Sequence, residues 1–371
     1  MTYYPTQSLV VGMTVIRRDR QLPPGVYGKV LVRQGAPVQP DTVVLQGSQP
    51  GDFVIIDALK ALNITLKDGG ALTEDLLQVR PGETLDKEQP IMIIGSGRRA
   101  RTLGSPVHAV FVRLEGSQII LRRDPVDLQI KALTPGHVSA IKGNESVTIE
   151  TVGALIQGAW GNGKETYATL TLEPEGGIEA LANTDDPMQR VSGTAMILNK
   201  PINDLNVFRF AEKLELGALI APSMTSGLRE IARRQKIPIL IVEGFGDLPM
   251  SEIVYNLLRG NANRPAAIDA HEPGRWSAER PEITVPLSTT AKPPAPDVNL
   301  PLMEGSLVRI TRQPNMGVTG RVYRLIDVPR PVENGLLVTG AEIRTANGQV
   351  YFAPLANLEL LGRPPEAPGR G

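Results

Sequence analysis

Glycine and proline break this chain into short pieces, and short apolar, β-branched pieces fold as strands between tight turns. There are 37 glycines and 32 prolines in 371 residues. That length predicts two or three domains at roughly 150 residues each. Between the breaks lie stretches such as "GKVLVRQGAPV", "QPIMIIGSG", "VHAVFVRLEG", "SQIILRR" and "SVTIETVGALIQG". They alternate and are rich in β-branched residues, so residues 1–175 read as a β-rich region. Two of its segments repeat a pattern: 30–47 and 76–95 each hold a strand, a glycine, a polar stretch and an apolar strand. A looser echo lies at 153–163.

Composition closes several routes to chemistry. Cysteine is absent, which excludes disulfides, thiolate metal sites and cysteine nucleophiles. The three histidines, His108, His137 and His271, share no ligand spacing, so no metal site is expected. Lys+Arg and Asp+Glu are equal at 39 each. A protein that holds nucleic acid by its phosphates usually carries a basic surplus. No apolar run approaches the roughly 20 residues of a membrane span. The first arginines follow the N-terminal apolar stretch instead of preceding it, so a cytoplasmic protein with no membrane partner is expected.

The period changes over 190–287. "GTAMIL", "GALIAP", "IPILIV" and "PAAIDA" read as strands, with helices over "INDLNVFRFAEKLEL", "SMTSGLREIARRQ" and "MSEIVYNLLR". This alternation predicts an α/β domain with a parallel sheet, Rossmann- or flavodoxin-like. "IPILIV" shows no alternation, so it is expected at the centre, buried on both faces. Ligands bind beyond the carboxyl ends of such strands. Three loops would gather there, offering Lys200, Ser223, Thr225, Glu243, Gly244, Gly246 and Asp247 to a nucleotide or phosphate. The same residues also read as plain helix caps and tight turns, with Asp204, Ser223 and Asp247 as N-caps. "GFG" is no dinucleotide fingerprint, and no histidine or nucleophile accompanies Glu243 and Asp247. The glycine-rich "GAWGNGK" (158–164) reads as a β-turn.

Residues 288–300, "STTAKPPAPDVNL", read as an extended proline-rich linker, and 363–371 as a disordered tail. Between them, "EGSLVRITRQPNMGVTGRVYRL" (304–325) resembles the KOW motif, and the resemblance covers most of 301–362. It implies a C-terminal SH3-like β-barrel that binds RNA, DNA, protein or nothing known. From 301 on there are eight arginines, no lysine and six acids. Arg309, Arg312, Arg321 and Arg324 lie close enough to form a patch for a nucleic acid or protein, or to be ordinary solvated strand faces.

"VRPGETL" (79–85) and "SPVHAV" (105–110) resemble the turns of the barrel-sandwich hybrid fold of biotinyl and lipoyl domains, although Ala109 stands where the bend has glycine. The resemblance implies an all-β barrel-sandwich-like N-terminal region. It also places Lys60 where those families carry a covalently loaded lysine. The residues themselves read as a short amphipathic helix, with Ile56, Leu59 and Leu62 inward and Lys60 in solvent.

The expected protein is therefore multidomain, non-catalytic and without cofactor, a modular scaffold acting mainly through protein–protein contacts. The alternatives are a nucleic-acid-associated factor using the C-terminal module, and a nucleotide- or phosphate-binding protein or enzyme using the central loops.

Overall fold

A computed structural model describes residues 2–64, 72–95, 97, 100–182, 191–274, 279–291 and 293–362. The tail, 363–371, lies outside the described residues. Strands make up 46% and helix 13%, so the class is mainly β. This corrects the expected fold class: among the described residues there is no central Rossmann-like layer, and the sheets are mostly antiparallel or mixed.

The spine is an eleven-stranded mixed sheet. Its order runs Trp160–Gly161, Ile239–Phe245, Ala218–Met224, Ala195–Ile197, Lys164–Leu172, Pro265–Ala270, Glu282–Pro286, Ser146–Gln157, Gly136–Lys142 and Pro37–Val38. The long strand Val10–Gln21 also pairs with Ser146–Gln157. Pairing is parallel only from Lys164–Leu172 to Ile239–Phe245. Pro265–Ala270, expected as a fourth parallel strand, runs antiparallel to both neighbours. The reason is local. After the helix Glu252–Gly260, the Asn263 N–H donates to the Leu170 carbonyl, at the carboxyl end of the neighbouring strand. The chain re-enters the sheet from that end and must run back down it.

"IPILIV" is likewise not central. Its strand has only the two-residue Trp160–Gly161 on its outer side. It lacks alternation because Leu240 and Val242 enter one core while Ile239 and Ile241 enter another. Burial on both faces needs cover above and below the sheet, not a central place in the strand order.

Three small antiparallel sheets hold the remaining N-terminal strands. Residues 53–122 enter between two paired strands, Val43–Gln49 and Val126–Lys131, and carry their own apolar core. The repeat seen in sequence is a repeat of hydrogen bonds. Gly35 and Gly82 sit at left-handed φ of 82° and 89°. Each donates its N–H across the turn, to the Val138 and Phe111 carbonyls at 2.8 Å. The following strands pair alike, Val38 with Gly136 and Leu85 with Ala109. Lys60 lies on a one-turn helix, Ala58–Leu62, where the Asp57 side chain caps the N–H of Lys60 itself. It is exposed there, and it does not stand on a hairpin tip.

The C-terminal strands form a six-stranded sheet: Leu307–Ile310, Thr319–Pro331, Leu337–Arg344 and Val350–Pro354 in meander, then Leu358–Gly362 back beside the first. Its sixth strand is Thr6–Gln7, parallel to Leu358–Gly362. Residues 6–7 and 358–362, from opposite ends of the described chain, thus share one sheet. The linker is strapped down as well: Thr14 Oγ1 donates to the Pro294 carbonyl and Gln7 Nε2 to the Asp297 carbonyl, both at 2.9 Å. No helix among the described residues is long and apolar enough to cross a membrane.

Candidate functional site

The three central loops do converge, but on each other. Asn203 Nδ2 donates to Asp247 at 3.2 Å, and Thr225 Oγ1 donates to Asn203 Oδ1 at 2.8 Å. Ser223 is fully buried inside a strand, its hydroxyl shared among the Gly246 carbonyl, the Leu248 carbonyl and the Leu248 N–H. It is therefore not a helix cap, and neither is Asp247, since the next helix begins at Glu252. Asp204 is not the cap either: Leu205 holds that position, and Asp204, one residue earlier, accepts from Asn206 N at 3.0 Å. Gly244 and Gly246 take φ of 120° and 126°, which the turn itself demands. Lys200 is exposed at the edge of this knot of loops. Apart from Glu243, these candidates build a turn.

The Glu243 side chain leaves the knot in the other direction and meets the C-terminal sheet. Arg309, in the apolar strand Leu307–Ile310, reaches it with Nη1 and also binds Glu359 of the paired strand, with Nε at 2.9 Å and with Nη2. Arg309 and Glu359 are direct cross-strand neighbours. The second Glu243 oxygen accepts from Ser251 N at 2.8 Å, at the start of the Glu252–Gly260 helix. A carboxylate there complements the helix dipole. Arg280 Nη1 lies 2.8 Å from the other Glu359 oxygen, which also accepts from Ser8 Oγ at 2.8 Å. Burial alone would raise the Glu359 carboxyl, but Arg309, Arg280 and Ser8 together hold it below the ordinary glutamate range.

This neutral cluster forms the floor of a cleft of about 760 Å³ between the central sheet, the N-terminal strand and the C-terminal sheet. Leu9, Leu248, Val298, Ile310 and Met316 give it apolar walls, and Gln157 adds an amide. Every carboxylate oxygen on the floor is occupied, yet some donors are not. Arg280 Nε and Nη2 have no partner among the described residues, and neither has Gln157 Nε2. The Gln157 carbonyl oxygen accepts from Leu9 N at 3.0 Å. Glu279 stands at the rim, mostly exposed, 3.6 Å from His271.

The structure therefore joins Glu243 and Arg309, which the sequence placed in two unrelated candidate sites. It separates Arg309 from the other arginines of the expected patch. Arg321 donates to the Gly305 carbonyl, Arg324 pairs with Glu342, and Arg312 is exposed. Ser8, Gln157, Arg280 and Glu359 were not anticipated. The available signal was a charge inside an apolar strand, in "LVRI" and in "LELLG": a charge buried there must be paired.

A second charged junction joins the strand Val10–Gln21 to the central sheet. Arg18 clasps Glu282 with both its Nε and Nη2, the latter at 2.6 Å, and Arg20 clasps Glu165, with Nη1 at 2.9 Å. Asp269 lies in register between Glu165 and Glu282 and forms no ion pair among the described residues, Arg20 and His271 acting on it only at a distance. "GAWGNGK" is tied down rather than open: the Asn162 amide holds the Ala232 and Ile237 carbonyls and the Ile239 N–H.

No family model matches the chain, and no curated protein matches it.

Proposed function

We propose that this chain is a non-catalytic, modular binding protein acting through protein contacts, and that it takes a segment of its partner in the cleft over Arg309. One observation supports the reading above others. Each oxygen of the cleft's buried acids already accepts from a protein donor, while donors of Arg280 and Gln157 stay open among the described residues. Glu359, held below the ordinary glutamate range by its partners, is a poor proton acceptor, so such a floor holds a ligand better than it transforms one. The nucleic-acid reading loses Arg309, which is buried and paired with Glu243 and Glu359; Arg321 and Arg324 each bond within the protein, and Arg312 alone of the four stands exposed without such a bond among the described residues. The repeated glycine turns and the C-terminal meander support the barrel-sandwich and KOW resemblances as features of this scaffold.

The test is selection of random peptides by the full chain, displayed with internal and with free carboxyl-terminal placement. Expected are peptides that lose binding to Met316→Arg, which plugs the cleft wall. Enrichment of none, or binding indifferent to that substitution, overturns the reading.

A further inference from the structure

Resting on that reading of the cleft, we propose that it recognises a carboxylate carried on a short apolar body. The polar groups on its surface are unequal in kind. Glu243 spends one oxygen on the Ser251 N–H and the other on Arg309. Glu359 spends one on Arg309 and the other on Arg280 and Ser8. A ligand donor would have to share every floor oxygen with a protein donor, on side chains only 1% and 5% exposed. A ligand acceptor finds three open donor groups among the described residues: Nε and Nη2 of Arg280 and Nε2 of Gln157.

Arg280 suits the task geometrically. Its Nη1 is anchored by Ser8 Oγ at 2.7 Å and by Glu359, so the planar fork is fixed before a ligand arrives. The edge left over, Nε with Nη2, is the one that pairs with a carboxylate through two parallel bonds. Its side chain keeps 21% exposure at the cleft. Around it the walls are apolar, with Leu9, Val298 and Met316 among them, and the volume suits a small molecule or the last few residues of a chain.

Two sources share this chemistry: a free apolar acid, and the carboxyl terminus of a partner protein. Both are tested on the full chain by fluorescence polarisation. One pair of probes is an apolar peptide as free acid and as carboxyl-terminal amide. The other is 4-phenylbutanoate and its amide, read as competitors. The acids should bind at least about tenfold tighter than the amides, the worth of hydrogen bonds to a charged group. Gln157→Glu should abolish that preference while its carboxylate keeps the Leu9 N–H. If this variant melts lower, Arg280→Gln, which retains a donor for Ser8 and Glu359, should show the same loss. Equal binding of acid and amide overturns the carboxylate inference and leaves the peptide cleft standing. Binding of the small acid without the peptide upholds the chemistry and removes the protein-segment reading. Binding of no probe overturns both.

Discussion

At the junction with the C-terminal sheet, two arginines face two glutamates; at the junction with the strand Val10–Gln21, two arginines face three acids. The first is balanced and dry: the Arg309, Glu243 and Glu359 side chains are 6%, 1% and 5% exposed. The second carries one carboxylate too many. Burial, with Glu165 and Glu282 alongside, pushes the Asp269 carboxyl up to about 6. The residue types are the same at both junctions, but protonation acts on them in opposite directions. A balanced buried pair depends on both charges, whereas a surplus acid is relieved by a proton.

The largest expected effect follows from breaking the balanced junction. Arg309→Met leaves two buried carboxylates without their main cation and should cost about 3–5 kcal/mol in urea unfolding. Adding Glu243→Met and Glu359→Leu should return much of that loss, because apolar replacement of a whole buried cluster is often near neutral. If the single variant is as stable as the parent, the junction is not what holds the sheets together.

Asp269→Asn comes next, and its sign is reversed. The folded-state pKa is raised, so the unfolded chain loses this proton first as the pH climbs. Stability falls from the ordinary aspartate range up to about 6 and stays lower above it. The substitution should add up to about 3 kcal/mol at pH 7 and nothing near pH 3. Glu359, held low, works the other way: its contribution persists above the ordinary glutamate range and is lost only in stronger acid. Melting curves of parent and variant from pH 3 to 8 separate the two junctions. A gain that does not change with pH would mean that Asp269 is not the surplus charge.

Arg18→Gln should cost about 1 kcal/mol or less, below Arg309→Met, because the Arg18 side chain is 37% exposed and its pairing is screened by water. Arg324→Ala, at an exposed pair with Glu342, should leave the melting temperature unchanged within error. A clear drop there would make surface pairing as important as the buried clusters.

Much of the local structure was legible. The helix over Asn206–Lys213, the Asn-Gly turn closed by Thr345 and Gln349, and the repeated glycine turns all follow from patterns a few residues long. "IPILIV" was read correctly as buried on both faces and placed wrongly in the sheet, because sequence reports burial and not neighbours. The candidate site was half legible. Glu243 and Arg309 were each noticed, and their meeting was not, since they lie 66 residues apart and belong to different sheets.

By itself the sequence determined where strands and helices form, which residues must be buried, and that charges inside apolar strands need partners. These properties depend on backbone preference and side-chain hydrophobicity over short range. Only the tertiary structure decided that the Asn263 bond to Leu170 reverses the strand after the last central helix, that the first residues of the chain complete the last sheet, and that Arg309 closes on Glu243. Such contacts depend on which surfaces pack together, and packing is a property of the whole chain at once.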